Sequence, residues 1–145
     1  MPRVALVLLA LLLMACPPEE SSDCGIPADT YSAGLAKEGE SSVFSFTMVS
    51  DVPAPPDRGD NVFTMRIVDG ADAAMDDGSL IIRPFMPEHG HGTTPETFET
   101  TFSSDGTYES APVDLFMPGA WELNFEFDDG AGTTDAALFT FCIEG

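Results

Sequence analysis

Apolar and polar positions alternate in short bursts along this chain, and turn residues separate the bursts. The cleanest burst is residues 121–127, where Trp121, Leu123, Phe125 and Phe127 alternate with Glu122, Asn124 and Glu126. A period of two puts the first set on one face of a strand and the second on the other. Residues 43–49 alternate in part and are rich in strand formers. Residues 96–103 set Thr97, Glu99 and Thr101 against Phe98, Thr100 and Phe102, which reads as a half-buried strand. Residues 61–69, 79–86, 107–117 and 136–143 read as further strands, with Pro112 a break point in the third because proline brings no N–H to a ladder. Between these runs stand turn signals: Pro53, Pro55 and Pro56 within residues 51–60, Ser104-Asp105-Gly106, Pro118-Gly119, and the glycine- and aspartate-rich residues 70–78 and 128–134. Residues 71–75 are compatible with one helical turn. About seven short strands and no long amphipathic helix predict an all-β fold, an immunoglobulin-like antiparallel β-sandwich. The Cys–Trp–Cys spacing of antibody domains is missing, so the prediction concerns architecture alone. Trp121 is expected in the core, and Tyr108 on a strand near a corner.

The first residues follow a different pattern. Arg3 precedes an uncharged apolar run that ends in Leu13-Met14-Ala15-Cys16. The run is about 12 residues long, whereas a membrane-spanning helix needs roughly 20. It reads as the apolar part of an export signal. Leu-Met-Ala-Cys resembles the bacterial lipobox, in which the cysteine is acylated and becomes the new first residue. That resemblance implies a lipid on Cys16; an ordinary signal with an incidental cysteine is the alternative. Residues 17–23 are polar and carry two prolines, as suits a tether. The expected organisation is a lipoprotein signal peptide over residues 1–15, a lipidated Cys16 and tether over 16–39, and a β-sandwich domain over 40–145. The expected location is the bacterial cell envelope, anchored by lipid and facing the periplasm or the cell surface.

Charge narrows the partners. Removing residues 1–15 leaves 130 residues, enough for one domain, expected to be a monomer. All 25 acidic residues lie in that part, against the four bases Lys37, Arg58, Arg66 and Arg83, so its net charge is −21. Nucleic acid is excluded as a partner, because phosphate binding needs clustered Lys and Arg. Broad adhesion to anionic headgroups is disfavoured for the same reason. The apolar share of 43% and the eleven Phe separate the chain from a disordered acidic tail. With Cys16 assigned to lipid, Cys24 and Cys142 remain. In an oxidising compartment such a pair tends to close. A Cys24–Cys142 bridge closing over 100 residues is worth roughly 4–5 kcal/mol in the chain-entropy model. Two free thiols, or a thiol on a metal, are the alternatives.

The chain has two histidines, and both fall in Met86-Pro87-Glu88-His89-Gly90-His91-Gly92-Thr93. On an extended backbone His89 and His91 point the same way, and the glycines let the chain bend. Imidazole with thioether suits copper, and thioether selects Cu(I). Met117, before the Pro118-Gly119-Ala120-Trp121 corner, is a further thioether able to approach the loop. His89, His91, Met86 and Met117 therefore form the candidate metal set, with Cu(I) as the candidate cofactor. Zinc wants Cys, His or carboxylate ligands, and only Glu88 is at hand to join. A tight glycine turn with exposed histidines and core methionines is the alternative.

Gly59-Asp60-Asn61-Val62-Phe63, then Met86-Pro87-Glu88-His89-Gly90-His91-Gly92, then Gly106-Thr107-Tyr108, then Met117-Pro118-Gly119-Ala120-Trp121-Glu122-Leu123, in that order and spacing, resemble the YtkA-like domain across roughly residues 40–128. The related FixH-like proteins share the general arrangement. The resemblance implies an immunoglobulin-like sandwich in the bacterial envelope and a part in heavy-metal or copper handling beside efflux or oxidase-assembly components. Members often carry Met where this chain has Glu88 or His89, which leaves the ligand set open.

Other motifs carry less. Arg58-Gly59-Asp60 spells an adhesion tripeptide by chance. The acidic turns lack the alternate ligands and terminal Glu of a calcium loop. Nucleophilic catalysis needs a nucleophile, a base and an orienting group, yet the histidines share one loop and no Ser or Cys motif accompanies them. No phosphate-cradling loop or dinucleotide fingerprint occurs. The sequence thus predicts a binding protein and not an enzyme. It is a copper accessory or, as the second reading, a non-metal module that docks on an envelope complex.

Overall fold

The structure, a computed structural model, describes residues 24–145; the export signal and the lipidation expected at Cys16 lie outside the described residues. Ten strands follow in order: β1 (Leu35–Glu38), β2 (Phe44–Val52), β3 (Gly59–Asp69), β4 (Ser79–Met86), β5 (His91–Gly92), β6 (Phe98–Ser103), β7 (Thr107–Ser110), β8 (Val113–Leu115), β9 (Gly119–Asp128) and β10 (Thr134–Ile143). Every pairing is antiparallel. The all-β expectation holds, with ten strands in place of about seven. Three differences account for the number. The stretch expected as tether contains β1, the histidine loop contains β5, and the run over residues 107–117 divides at Pro112 into β7 and β8.

The strands connect in the order β1-β2-β3-β7-β6-β4-β9-β10, with β5 added to β4 and β8 to β3. β6 makes the corner between the two layers. Its first residues, Phe98 and Glu99, pair with β4, while Thr100 to Ser103 pair with β7. The opposite edges also meet. Asp29 donates its amide to the Thr140 carbonyl at 2.7 Å, and the Thr140 amide donates to Asp29 Oδ2 at 2.8 Å. Lys37 Nζ reaches Asp29 Oδ2 at 2.6 Å and the Leu138 carbonyl at 2.8 Å. The sandwich is thus nearly a barrel, and few strand edges stay open to pairing with other chains.

Alternation decides what the interior holds. Trp121, Leu123, Phe125 and Phe127 of β9 all point inward, as do Ala137, Phe139, Phe141 and Ile143 of β10. Edge-to-face ring pairs lock the layers together, Phe44 on Phe127 at 5.1 Å and Phe63 on Phe125 at 6.0 Å between centroids, and Phe125 on Phe139 at 5.4 Å ties the neighbouring strands β9 and β10 within one layer. The two buried polar rings find acceptors, Trp121 Nε1 at the Met117 carbonyl (2.9 Å) and the Tyr108 hydroxyl at the Met75 carbonyl (3.0 Å). In β2, Phe44, Phe46 and Met48 face inward. Val49 is then an extra residue in a β-bulge, so the phase inverts and Asp51 turns into the interior.

Cys24 and Cys142 form the expected disulfide, with Cα atoms 5.8 Å apart. The bridge pins the segment before β1 to the end of β10. At that end of the sandwich also lie the β2–β3 connection, the β4–β5 hairpin and the β8–β9 corner. The turns at residues 39–43, 70–78 and 129–133 mark the far end.

Candidate functional site

The two histidines sit on a tight hairpin, not on an extended loop. Met86 and His91 are Cα partners across β4 and β5. The amides of His89 and Gly90 both donate to the Met86 carbonyl, at 3.2 and 2.9 Å, and close the turn over residues 87–90. Each glycine of the motif has its own cause. Gly90 adopts a left-handed φ of 68°, which costs a side-chain-bearing residue conformational energy. At Gly92 an added Cβ would stand 2.5 Å from the Pro84 carbonyl oxygen.

Residues directly opposite in an antiparallel pair share one face, with Cβ atoms roughly 5 Å apart. Met86 and His91 are such a pair, Met86 wholly buried and His91 half-buried. The His91 ring stacks on Phe116 at 5.8 Å and 14°. Phe116 in turn meets the edge of Trp121 at 5.5 Å. His91 Nδ1 lies 3.1 Å from the Gly92 carbonyl. Donating there, Nδ1 carries the proton, and the Nε2 lone pair is left for a ligand. His89 is exposed, and its ring centroid stands 5.7 Å from that of His91 with a 31° tilt. Two imidazoles that share an ion, each through a nitrogen about 2 Å from it, place their centroids roughly 6 Å apart. A groove of about 490 Å³, lined among others by Arg83, Phe85, His91, Thr93 and Glu96, opens beside β5 and gives access.

Of the two thioethers, only Met86 is less exposed than both imidazoles. Met86 lies in the core, and its Cε would be 2.9 Å from a Cβ added at Gly119. Met117 is half-buried against the core, one residue after the Phe116 that carries His91. Glu88 turns toward Gly25 and Gly119, beside the disulfide. Among the described residues no group of three or more His, Cys, Asp and Glu is placed to hold a metal. The four-ligand shell of Cys, His or carboxylate that a structural zinc demands is therefore not assembled around Glu88. What comes together is the imidazole pair of His89 and His91, with Met86 across the strand pair from His91 and Met117 next in the chain to Phe116. The acidic turns use their carboxylates locally. Asp69 Oδ1 accepts the amides of Ala71 and Ala73, and Asp129 Oδ1 those of Ala131 and Thr133.

Sequence reasoning missed two residues at this end. Phe116, the stacking partner of His91, has no signal in the sequence beyond its place before Met117. Asp51 is buried, and neither carboxylate oxygen has a hydrogen-bond partner. Burial pushes its pKa up from 3.8 to about 7; the adjacent Val52 amide, short of full hydrogen-bond geometry, pulls it partway back.

Fold and site together define a class: small antiparallel β-sandwich domains with a histidine–methionine hairpin at one end. The chain matches the YtkA-like family over residues 39–126 and belongs to that family. No curated protein and no solved structure matches it.

Proposed function

We propose that this protein is a copper-binding accessory of the bacterial envelope, held to the membrane by acyl chains on Cys16. His89 and His91 with Met86 and Met117 take Cu(I), and the protein passes the ion to or from an envelope partner without performing catalysis. The observation that carries this reading is the convergence at the hairpin: a 5.7 Å imidazole pair with Met86 cross-strand from His91. The donor set fits a soft ion, because thioether selects Cu(I) over the harder divalent metals. Each residue has a distinct part. The Gly92 carbonyl fixes the His91 tautomer, and the Phe116 ring holds the imidazole plane. Exposed His89 leaves one side of the site open, which suits transfer better than storage.

The test is a Cu(I) titration of residues 17–145 against a competing chelator, beside a His89→Ala/His91→Ala variant. One-to-one binding tighter than micromolar in the parent and lost in the variant supports the proposal. No binding, or equal binding by both, removes copper from this hairpin and leaves a docking module.

A further inference from the structure

Two features of the hairpin end point in one direction. The first is attachment. Eight Cα steps separate Cys16 from Cys24, a reach of at most about 29 Å. Cys24 is bridged to Cys142 at the hairpin end, so this end emerges next to the lipid. The longest strand, β3 of 11 residues, spans about 37 Å at 3.4 Å per residue. The far end thus stands a strand length further from Cys24, where the chain toward Cys16 leaves the sandwich.

The second is exposed apolar surface. Val52 is the most exposed large hydrophobic residue described, at 66%, and exposed Pro53 and Pro55 follow it. Phe116, 38% exposed, lies at the same end. The Arg58 guanidinium donates to the Phe116 backbone carbonyl at 3.0 Å. Charge does not separate the ends: the far turns carry Glu40, Asp72, Asp76, Asp77 and Asp129, and the hairpin end carries Asp57, Asp60, Glu88 and Glu144 beside Arg58. An anionic leaflet repels both, and the orientation rests on the attachment point and the apolar residues.

We propose, resting on the Cys16 anchor proposed above, that the hairpin end of the sandwich lies against the bilayer surface, with Val52, Pro53, Pro55 and Phe116 touching lipid and the aspartate turns facing water. The histidine site then opens at the membrane interface, within reach of membrane-embedded partners.

The experiment uses the full lipidated chain in vesicles of phosphatidylethanolamine with phosphatidylglycerol. One nitroxide is placed at Val52→Cys or, in a separate protein, at Ala131→Cys in a far turn; both positions are exposed, so folding is preserved. Collisions with oxygen, which concentrates in lipid, are compared with collisions with an aqueous nickel chelate. The expected result is an oxygen-to-nickel ratio several-fold higher at Val52 than at Ala131. Equal ratios in chain that floats with the vesicles overturn the orientation and leave the anchor standing. Chain that carries no acyl mass and does not float overturns the anchor and the orientation with it. Spin–spin broadening at Val52 puts a second copy of the chain on this surface and also overturns the proposal.

Discussion

Replacing Asp51 with asparagine tests the reading of the interior most directly. Asp51 is 3% exposed, its oxygens are unpartnered, and its pKa stands at about 7 against an ordinary 3.8. Between those two values the folded chain holds a proton that the unfolded chain has released. Stability therefore falls as pH rises from 3.8 to about 7, and the loss is complete above that. Three pKa units at about 1.4 kcal/mol each set a ceiling of roughly 4 kcal/mol. Asparagine keeps the shape and removes the charge. At pH 4, close to the ordinary carboxyl pKa of 3.8, we expect the variant to match the parent to within about 1 kcal/mol. At pH 8 we expect it to be more stable by roughly 2–4 kcal/mol. Urea denaturation of both proteins at half-unit pH steps from 4 to 8, with the difference plotted against pH, isolates the Asp51 contribution. A flat difference would falsify the assignment, since a carboxylate that titrates normally is already charged at pH 5 in both states.

Further outcomes follow from the same geometry. Cys142→Ser opens a loop with a sequence separation of 118 and is expected to lower stability by about 5 kcal/mol; a change below about 1 kcal/mol in the urea midpoint analysis contradicts the chain-entropy account. Burial pushes the Asp135 pKa up, but amides of Ser41, Phe44, Val43 and Ala136 bring it below its usual value. Its contribution is therefore present above pH 3.8 and is lost as pH falls through the lowered pKa, so Asp135→Asn should flatten the acid limb of the stability profile. Gly119 has a φ of 127° and faces Met86 Cε, and Gly119→Ala should cost roughly 1–3 kcal/mol and weaken Cu(I) binding; unchanged denaturation and titration curves count against the strain.

Seven of the strands were legible because their faces differ in polarity at a period of two, as in Trp121 to Phe127. The turns were legible from Gly, Pro and Asp, and the Cys24–Cys142 bridge from the count of cysteines left after Cys16. The histidine motif was legible as chemistry. β1 was not, because Leu35 to Glu38 is short and has no inward apolar pair to announce it; its partners lie in β2 and along β10.

Sequence by itself thus determined the all-β class, the main turns and the presence of two imidazoles and thioethers on neighbouring stretches, because each follows from local periodicity and residue type. Only the tertiary structure decided that Met86 and His91 share a face, that Phe116 stacks on His91, and that Asp51 is inside. The physical reason is register. A single extra residue at Val49 inverts the facing of all that follows in β2, and no local pattern records where a distant strand will sit.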